Sequence, residues 1–291
     1  MTNLLRLVAV SCALLVGVSL IATMNLDAAE RVVSAPVRQA RPLPVLLAQT
    51  AAYLQTFVQR FTNVVATERY VQERVSGIRK GQKHALTSDF MLISLPGSAE
   101  WIECRDVYEA DGKPVGDREK RLLKLLQNGS PQNWSSRAES VARESTRYNL
   151  NDEIGTINRP LVTLSLMQGP LQRQFVFTAG EPDATAGAGV SVIAFREPSS
   201  SRLARQSPLW GRVWIEGATG MILKTELLFG NKSAPHQIVT TFKLDPDLGV
   251  AVPVDMTERY VFGSVEGEIQ GHATYGQFRR FGVTTEERLR E

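Results

Sequence analysis

The sequence contains few of the residues from which catalytic and metal centres are usually built. Its 291 residues include only two cysteines and three histidines. The histidines, His84, His236 and His272, lie far apart, and none has a cysteine, histidine or acidic neighbour at a zinc-ligand spacing. No Walker loop, dinucleotide-binding glycine motif or nucleophile elbow occurs. We therefore expect no metal, no cofactor and no catalytic residue, and we predict a protein that is not an enzyme.

The chain also lacks a strong excess of charge of either sign. It carries 33 lysines and arginines against 30 aspartates and glutamates, a formal net charge of +3, which is too small to indicate a nucleic-acid partner. Cys12 lies in an apolar run near the N-terminus, so removal of that run leaves Cys104 without an internal disulfide partner. We expect Cys104 to be a small buried side chain on a strand.

The N-terminus has the layout of a secretory signal peptide. One positive charge in Met1–Arg6 precedes an apolar run from Leu7 to Ala22. The run lies at the lower limit of the roughly 20 residues that span a bilayer, so an uncleaved signal anchor is the alternative. We assign residues 1–29 to this signal segment and residues 30–44 to an extended tether. The expected location is the periplasm or the cell envelope, with membrane contact only through the N-terminal segment.

A long amphipathic helix is predicted at the start of the folded domain, which we place at residues 45–285. Apolar residues recur every three or four positions from Leu43 to about Glu73, with polar residues between them. Its last part, around Tyr70, is alternatively the start of a strand. Phe57 and Phe61 belong to the apolar stripe, which must cover another part of the fold.

The rest of the domain is predicted to form strands joined by short turns, interrupted by a helical insertion at residues 117–167. In the C-terminal half, Val250–Phe262 has the clearest strand alternation, and Pro253 within it indicates an edge or a bulge. One face of this strand carries Val250, Val252, Val254, Met256, Tyr260 and Phe262. The absence of regular alternation between strands and helices indicates an antiparallel meander. We therefore predict an α+β fold with a large antiparallel sheet, covered by the long helix and the insertion.

Two polar stretches are candidates for a binding site. Arg105 in the first stretch, with Arg147 and Tyr148 in the second, would bind an anionic head group and donate hydrogen bonds. The alternative is that these residues tie the helical insertion to the sheet. Carboxylate pairs such as Glu68 with Glu73 have basic neighbours, so we interpret them as exposed, salt-bridged surface.

Two segments carry a resemblance to a known family. From Trp214 to Glu226 the sequence reads WIEGATGMILKTE, and from Val252 to Met256 it reads VPVDM. Both are similar to the hairpin and the following strand of the periplasmic lipoprotein-sorting carriers, the LolA/LolB-like superfamily. A third segment, Arg105–Leu126, resembles exported proteins of acidobacterial type that carry no established activity.

The resemblance implies a sheet curled into a half-barrel, whose concave face encloses an apolar cavity for acyl chains. The family carriers lack the segment 117–167, which would occupy or reshape that cavity. Our candidate ligand-binding residues are Phe57, Phe61, Trp214, Val252, Met256, Tyr260, Arg105, Arg147 and Tyr148.

Three functions follow as hypotheses. The first is a non-enzymatic envelope protein that binds a lipid, a lipoprotein acyl chain or another apolar ligand in the half-barrel. The second is a structural or signalling envelope module with a filled core that binds a protein partner. The third is a hydrolase whose site has no recognisable motif.

Overall fold

The computed structural model describes residues 41–94, 101–116, 140–141, 143–150, 156–198 and 208–280. The predicted signal segment and nearly all of the predicted tether lie outside these ranges, as do residues 117–139 of the predicted insertion. Within the described ranges, no helix combines the length and the apolar character needed to cross a membrane.

Eleven strands form one antiparallel sheet. They are β1 (Val64–Arg74), β2 (Lys83–Ser94), β3 (Trp101–Ala110), β4 (Lys113–Pro114), β5 (Val176–Ala179), β6 (Val190–Arg196), β7 (Leu209–Glu216), β8 (Ile222–Phe229), β9 (His236–Asp245), β10 (Val250–Val261) and β11 (Glu268–Arg280). Their order across the sheet is β4-β3-β2-β1-β11-β10-β9-β8-β7-β6-β5. Two meanders are therefore joined where β1 pairs with β11, and among the described strands β4 and β5 end the sheet without closing it. The predicted α+β class, with a large curled antiparallel sheet, is confirmed.

The N-terminal helix is shorter than its sequence pattern indicated. Helix α1 (Leu43–Phe61) ends because Thr62 adopts an extended conformation and Asn63 has a φ of 64°. From Ala66 onward buried and partly or fully exposed residues alternate, the period of a strand. The prediction of a helix as far as Glu73 was therefore wrong, whereas the alternative, that the last part of this segment is a strand, is confirmed. The physical reason is that this segment gains backbone hydrogen bonds on both sides, from β2 and from β11.

Helix α1 packs on one face of the sheet, which we call the inner face; the opposite face is the outer face. Phe57 and Phe61 stack with ring centroids 5.1 Å apart, and Phe61 also contacts Phe90 of β2. The backbone N–H of Ala251 in β10 donates to the Tyr53 hydroxyl at 2.8 Å. These contacts bury the apolar stripe of α1, as its periodicity predicts.

Three further short helices are α2 (Val162–Leu166), α3 (Gly169–Gln172) and α4 (Gly263–Glu266), and residues 140–141 and 143–146 are helical as well. Helix α2 lies within the predicted helical insertion at residues 117–167. Leu161, Leu164 and Met167 around it are at most 1% exposed and join the inner-face core.

The described residues between β4 and α2 contact both faces of the sheet and its edge at β3. Val141 packs on the outer face, in a cluster with Cys104 of β3. The Ser145 hydroxyl then accepts the backbone N–H of Arg105 at 3.0 Å, on the edge of β3. Leu150 and residues 156–161 lie on the inner face. We call the described residues between 140 and 161 the strap; capping the β3 edge in this way protects it from pairing with another chain.

Candidate functional site

The inner face has an apolar half under α1 and a polar half under the strap. The polar half arises because alternate positions on β1, β3, β10 and β11 point inward, and several of those positions carry polar or tyrosine side chains. These residues, all at most 6% exposed, are Glu68, Tyr70, Gln72, Glu103, Arg105, Glu258, Tyr260 and Tyr275. We call them the polar cluster.

A buried ion pair lies at the centre of the polar cluster. Arg105 Nε is 2.5 Å from Glu68 Oε2, and Glu68 also accepts hydrogen bonds from the hydroxyls of Ser88 and Tyr275 at 2.8 and 2.9 Å. The interpretation of Glu68 as exposed surface was therefore wrong, whereas Glu73 is exposed. Glu68 shares its strand parity with buried Tyr70, so it points inward and requires a buried partner.

Glu258 is the second buried carboxylate. It accepts hydrogen bonds from the hydroxyls of Tyr70 and Tyr260, at 2.7 and 2.5 Å, and from the backbone N–H of Asn158 in the strap at 2.8 Å. Burial raises the pKa of Glu258, while the hydrogen bonds from the two tyrosines lower it in part. Burial and the neighbouring Glu258 carboxylate together raise the pKa of both tyrosines well above its ordinary value.

The strap is held by side chains of the sheet at several points. Glu103 accepts the backbone N–H of Leu161 at 2.8 Å and lies 3.1 Å from Arg159 Nη2. Burial raises the pKa of Glu103, and Arg159 opposes this. Arg105 donates to the Ser145 carbonyl at 3.2 Å. The interpretation that Arg105 ties the insertion to the sheet thus agrees with these contacts.

Some buried amide groups under the strap have no hydrogen-bond partner among the described residues. They are Nε2 of Gln72 and both polar atoms of the Asn158 side chain. Asn158 also has a φ of 43°, in the left-handed region. Buried polar groups are seldom left without a partner, so this place would suit a water molecule or a small polar group.

The structure distributes the sequence-predicted site residues over four places: the apolar half, the polar cluster, the outer face and the strap. Phe57, Phe61, Val252 and Met256 belong to the apolar half and are at most 2% exposed. A side chain without exposed surface borders no space as large as a water molecule, so the inner face is filled at these positions. Their predicted role in ligand binding stays a prediction.

Arg105 and Tyr260 belong to the polar cluster, whereas Trp214 is buried against the outer face. Its indole N–H donates to the Asp183 carboxylate at 2.8 Å. Arg147, by contrast, is 51% exposed and stacks over the half-buried Tyr148 ring, 5.5 Å from its centroid.

An open groove of about 870 Å³ lies on the outer face over β6, β7 and β8. Cross-strand pairing places Arg196, Trp210 and Leu228 in one row. The next row contains Ala194, Arg212 and Glu226. The half-buried Trp210 and Leu228 form the apolar floor, together with Ala194.

The charges at this groove are only partly compensated. Arg212 Nε lies 2.6 Å from Glu226 Oε2, so these two side chains neutralise each other. Glu197 accepts the backbone N–H of Leu209 at 3.2 Å. Arg196 and Lys232 are both exposed and form no ion pair with any described residue.

Sequence reasoning missed both the groove and Glu258. Glu258 has the same parity as Met256 and Tyr260, so a carboxylate at a buried strand position was the signal. The sequence signal for the groove was a pair of large apolar residues, Trp210 and Leu228, at positions of two hairpin strands that face away from the core.

Among the described residues, no group of three or more histidine, cysteine, aspartate or glutamate side chains is arranged to hold a metal ion.

Comparison with known proteins gives matches only at the level of structure. The sequence matches no protein-family model and no curated protein. A DUF1329 family protein from Desulfovibrio piger is similar at 10% identity and a TM-score of 0.42, covering 84% of this chain and 95% of that one. A LolA superfamily protein from Nitrosomonas europaea is similar at 11% identity and a TM-score of 0.33, covering 84% and 96%.

A putative outer membrane lipoprotein-sorting protein domain from Vibrio parahaemolyticus is also similar, at 11% identity and a TM-score of 0.33. The match covers 81% of this chain and 95% of that one.

Proposed function

We propose that the protein is a non-enzymatic binding protein of the cell envelope, and that its ligand is a lipid, a lipoprotein acyl chain or another apolar ligand. The observation that carries this proposal is the outer-face groove of about 870 Å³, a volume within the range of about 300–1,000 Å³ typical of ligand sites. Trp210 and Leu228 offer an apolar floor. The signal-like N-terminal sequence supports export, and the hairpin resemblance to lipoprotein-sorting carriers supports an acyl chain as ligand.

The groove is favoured over the inner face because the inner face is filled. Phe57, Phe61 and Met256 are 0% exposed, so a chain entering there would first have to displace α1. The buried carboxylates are engaged as well: Glu68 by Arg105, and Glu258 by two tyrosines. Their contacts fit a role in holding the sheet and the strap together, and this supports a binding protein rather than an enzyme.

Titration with a fluorescent fatty acid tests the proposal. We expect saturable uptake by the wild-type chain and binding about 5–30-fold weaker in Leu228→Asn, because removing a buried leucine contact costs about 1–2 kcal/mol. Leu244→Asn is the matched control, since Leu244 is 58% exposed and does not line the groove. Absence of uptake by the wild type, or equal binding by both variants, would contradict the proposal.

The second candidate is a structural or signalling module that binds a protein partner. It is favoured by the filled inner face and by β5, which among the described strands pairs only with β6 and leaves Val176 36% exposed. An extended segment of a partner adds readily to such an edge. A photo-crosslinker at Val176 that yields a protein adduct in the envelope, together with a flat fatty-acid titration, would support this candidate over the first.

A further inference from the structure

We infer that the ligand of the outer-face groove carries an anionic head group, which Arg196 and Lys232 bind while the apolar chain lies on Trp210 and Leu228. This inference rests on the proposed function and narrows its ligand to a single chemical class. That class is an amphipathic anion: an apolar chain that ends in a carboxylate or a phosphate.

The described lining of the groove carries an excess of positive charge. Among the described residues, three cations and two carboxylates line it, so one positive charge is in excess in this part of the lining. Arg212 is paired with Glu226 at 2.6 Å, and the Glu226 carboxylate also accepts a hydrogen bond from Gln237 at 2.7 Å. The positive charge that remains for a ligand therefore belongs to Arg196 and Lys232.

These two cations lie at one end of the apolar floor. Arg196 lies in the same cross-strand row as Trp210 and Leu228. Lys232 lies in the turn that follows β8, beyond Leu228 at the same end of the strands. A chain resting on the floor with its head group at this end is thus flanked by a guanidinium and an ammonium. Charge-assisted hydrogen bonds from such groups are about twice as strong as neutral ones, and the planar guanidinium fits a carboxylate or a phosphate.

Arg196 and Lys232 are both exposed, and neither forms an ion pair with a described residue, so binding an anion breaks no ion pair within the described part of the chain. The apolar stems of Arg196 and Lys232 can lie along the groove wall while their charged ends stay in water. The Glu197 carboxylate also lines the groove and repels an anion. Because it is engaged by the Leu209 N–H, this repulsion is reduced.

Calorimetric titration with three ligands of equal chain length tests the inference: dodecanoate, its neutral monoglyceride and dodecyltrimethylammonium, each below its micelle concentration. We expect dodecanoate to bind about tenfold more tightly than the monoglyceride, and dodecyltrimethylammonium to bind most weakly. In the double variant Arg196→Gln/Lys232→Gln, dodecanoate should bind only about twofold more tightly than the monoglyceride, and the affinity for the monoglyceride should be unchanged. Lys243→Gln, an exposed lysine of β9 outside the groove, should keep the full preference.

The outcomes separate the inference from the proposed function. If the monoglyceride binds as tightly as dodecanoate, the head-group inference fails, while the proposal that the groove binds an apolar ligand is still supported. If dodecanoate keeps its preference in the double variant, Arg196 and Lys232 do not recognise the head group and the inference fails as well. If none of the three ligands binds, the proposed function itself fails. Both substituted side chains are exposed, so an unchanged circular dichroism spectrum and melting temperature are expected for every variant.

Discussion

Gly271 occupies a position in β11 where a single methyl group should break the polar cluster. An added Cβ would lie 2.8 Å from the Tyr70 hydroxyl and 3.0 Å from Glu258 Oε2. Tyr70 is 0% exposed, so its ring is packed on all sides and cannot move away from the added methyl group without disturbing its neighbours. We therefore expect Gly271→Ala to push the Tyr70 hydroxyl away from Glu258, which leaves a buried carboxylate with one donor fewer.

The size of the effect follows from two costs and one gain. Losing a hydrogen bond to a charged group costs about 1.5–3 kcal/mol, and overpacking a filled interior costs about 1–3 kcal/mol. Replacing a glycine by alanine lowers the conformational entropy of the unfolded chain, which stabilises the folded protein by about 0.4–1 kcal/mol. The free energy of unfolding should fall by roughly 3 kcal/mol, or about 6–12 °C in melting temperature for a domain of this size.

Thermal and urea unfolding followed by circular dichroism measure this change. Gly276→Ala is the matched control: it lies on the same strand, and no atom stands within 4 Å of its added Cβ. Its stability should stay within about 0.5 kcal/mol of the wild type. In a Tyr70→Phe background, Gly271→Ala should cost about 1 kcal/mol less, because the clashing oxygen is gone. Equal stability of Gly271→Ala and Gly276→Ala would refute the reasoning.

Three further predictions concern buried ionisable groups. Glu68→Gln leaves the buried Arg105 without its counter-ion and should lower the free energy of unfolding by about 3–5 kcal/mol, whereas urea unfolding of the exposed control Glu73→Gln should match the wild type. Burial raises the folded-state pKa of Glu258 above 4.5, so its contribution to stability is present below pH 4.5 and is lost as pH rises through the raised value. Between pH 4.5 and pH 8 the free energy of unfolding should therefore fall less in Glu258→Gln than in the wild type. If the free energy of unfolding depends on pH in the same way in both proteins, the raised pKa of Glu258 is contradicted. Burial also raises the pKa of the Cys104 thiol to about 12, so a thiol reagent at pH 8 should label Cys104 only after unfolding, and rapid labelling of the folded chain would contradict its buried position.

Strand parity in the C-terminal half was predictable from the sequence because one face of each strand is consistently apolar. The alternation of Val250–Phe262 placed Met256 and Tyr260 inward, and Pro253 marks the register shift observed between Pro253 and Asp255. At the N-terminal end the same reasoning failed. Glu68 and Gln72 occupy inward positions of β1, and polar residues at buried positions obscure the strand period.

The candidate sites were only partly predictable, because they depend on contacts between distant segments. Tyr70 and Glu258 are 188 positions apart in the sequence, and no local pattern pairs them. Arg105 was identified as a site residue by its place in a polar stretch, and Tyr260 by its place on the apolar face of Val250–Phe262. The groove depends on the register of β6, β7 and β8, which sets Arg196 beside Trp210 and Leu228, and a slip of one residue would turn these side chains to the other face.

The pairing of β1 with β11 determines when this sheet can be completed. β1 is made early in synthesis, yet its partner β11 is the last described strand, and their contacts join residues such as Val64 and Arg280. Contacts between such distant residues slow folding, because a long loop must close before they form. Until β11 arrives, β1 has one open hydrogen-bonding edge at what will become the interior of the sheet, and such an edge favours aggregation. We therefore expect a chain truncated before Glu268 to aggregate rather than to fold as a smaller half-barrel.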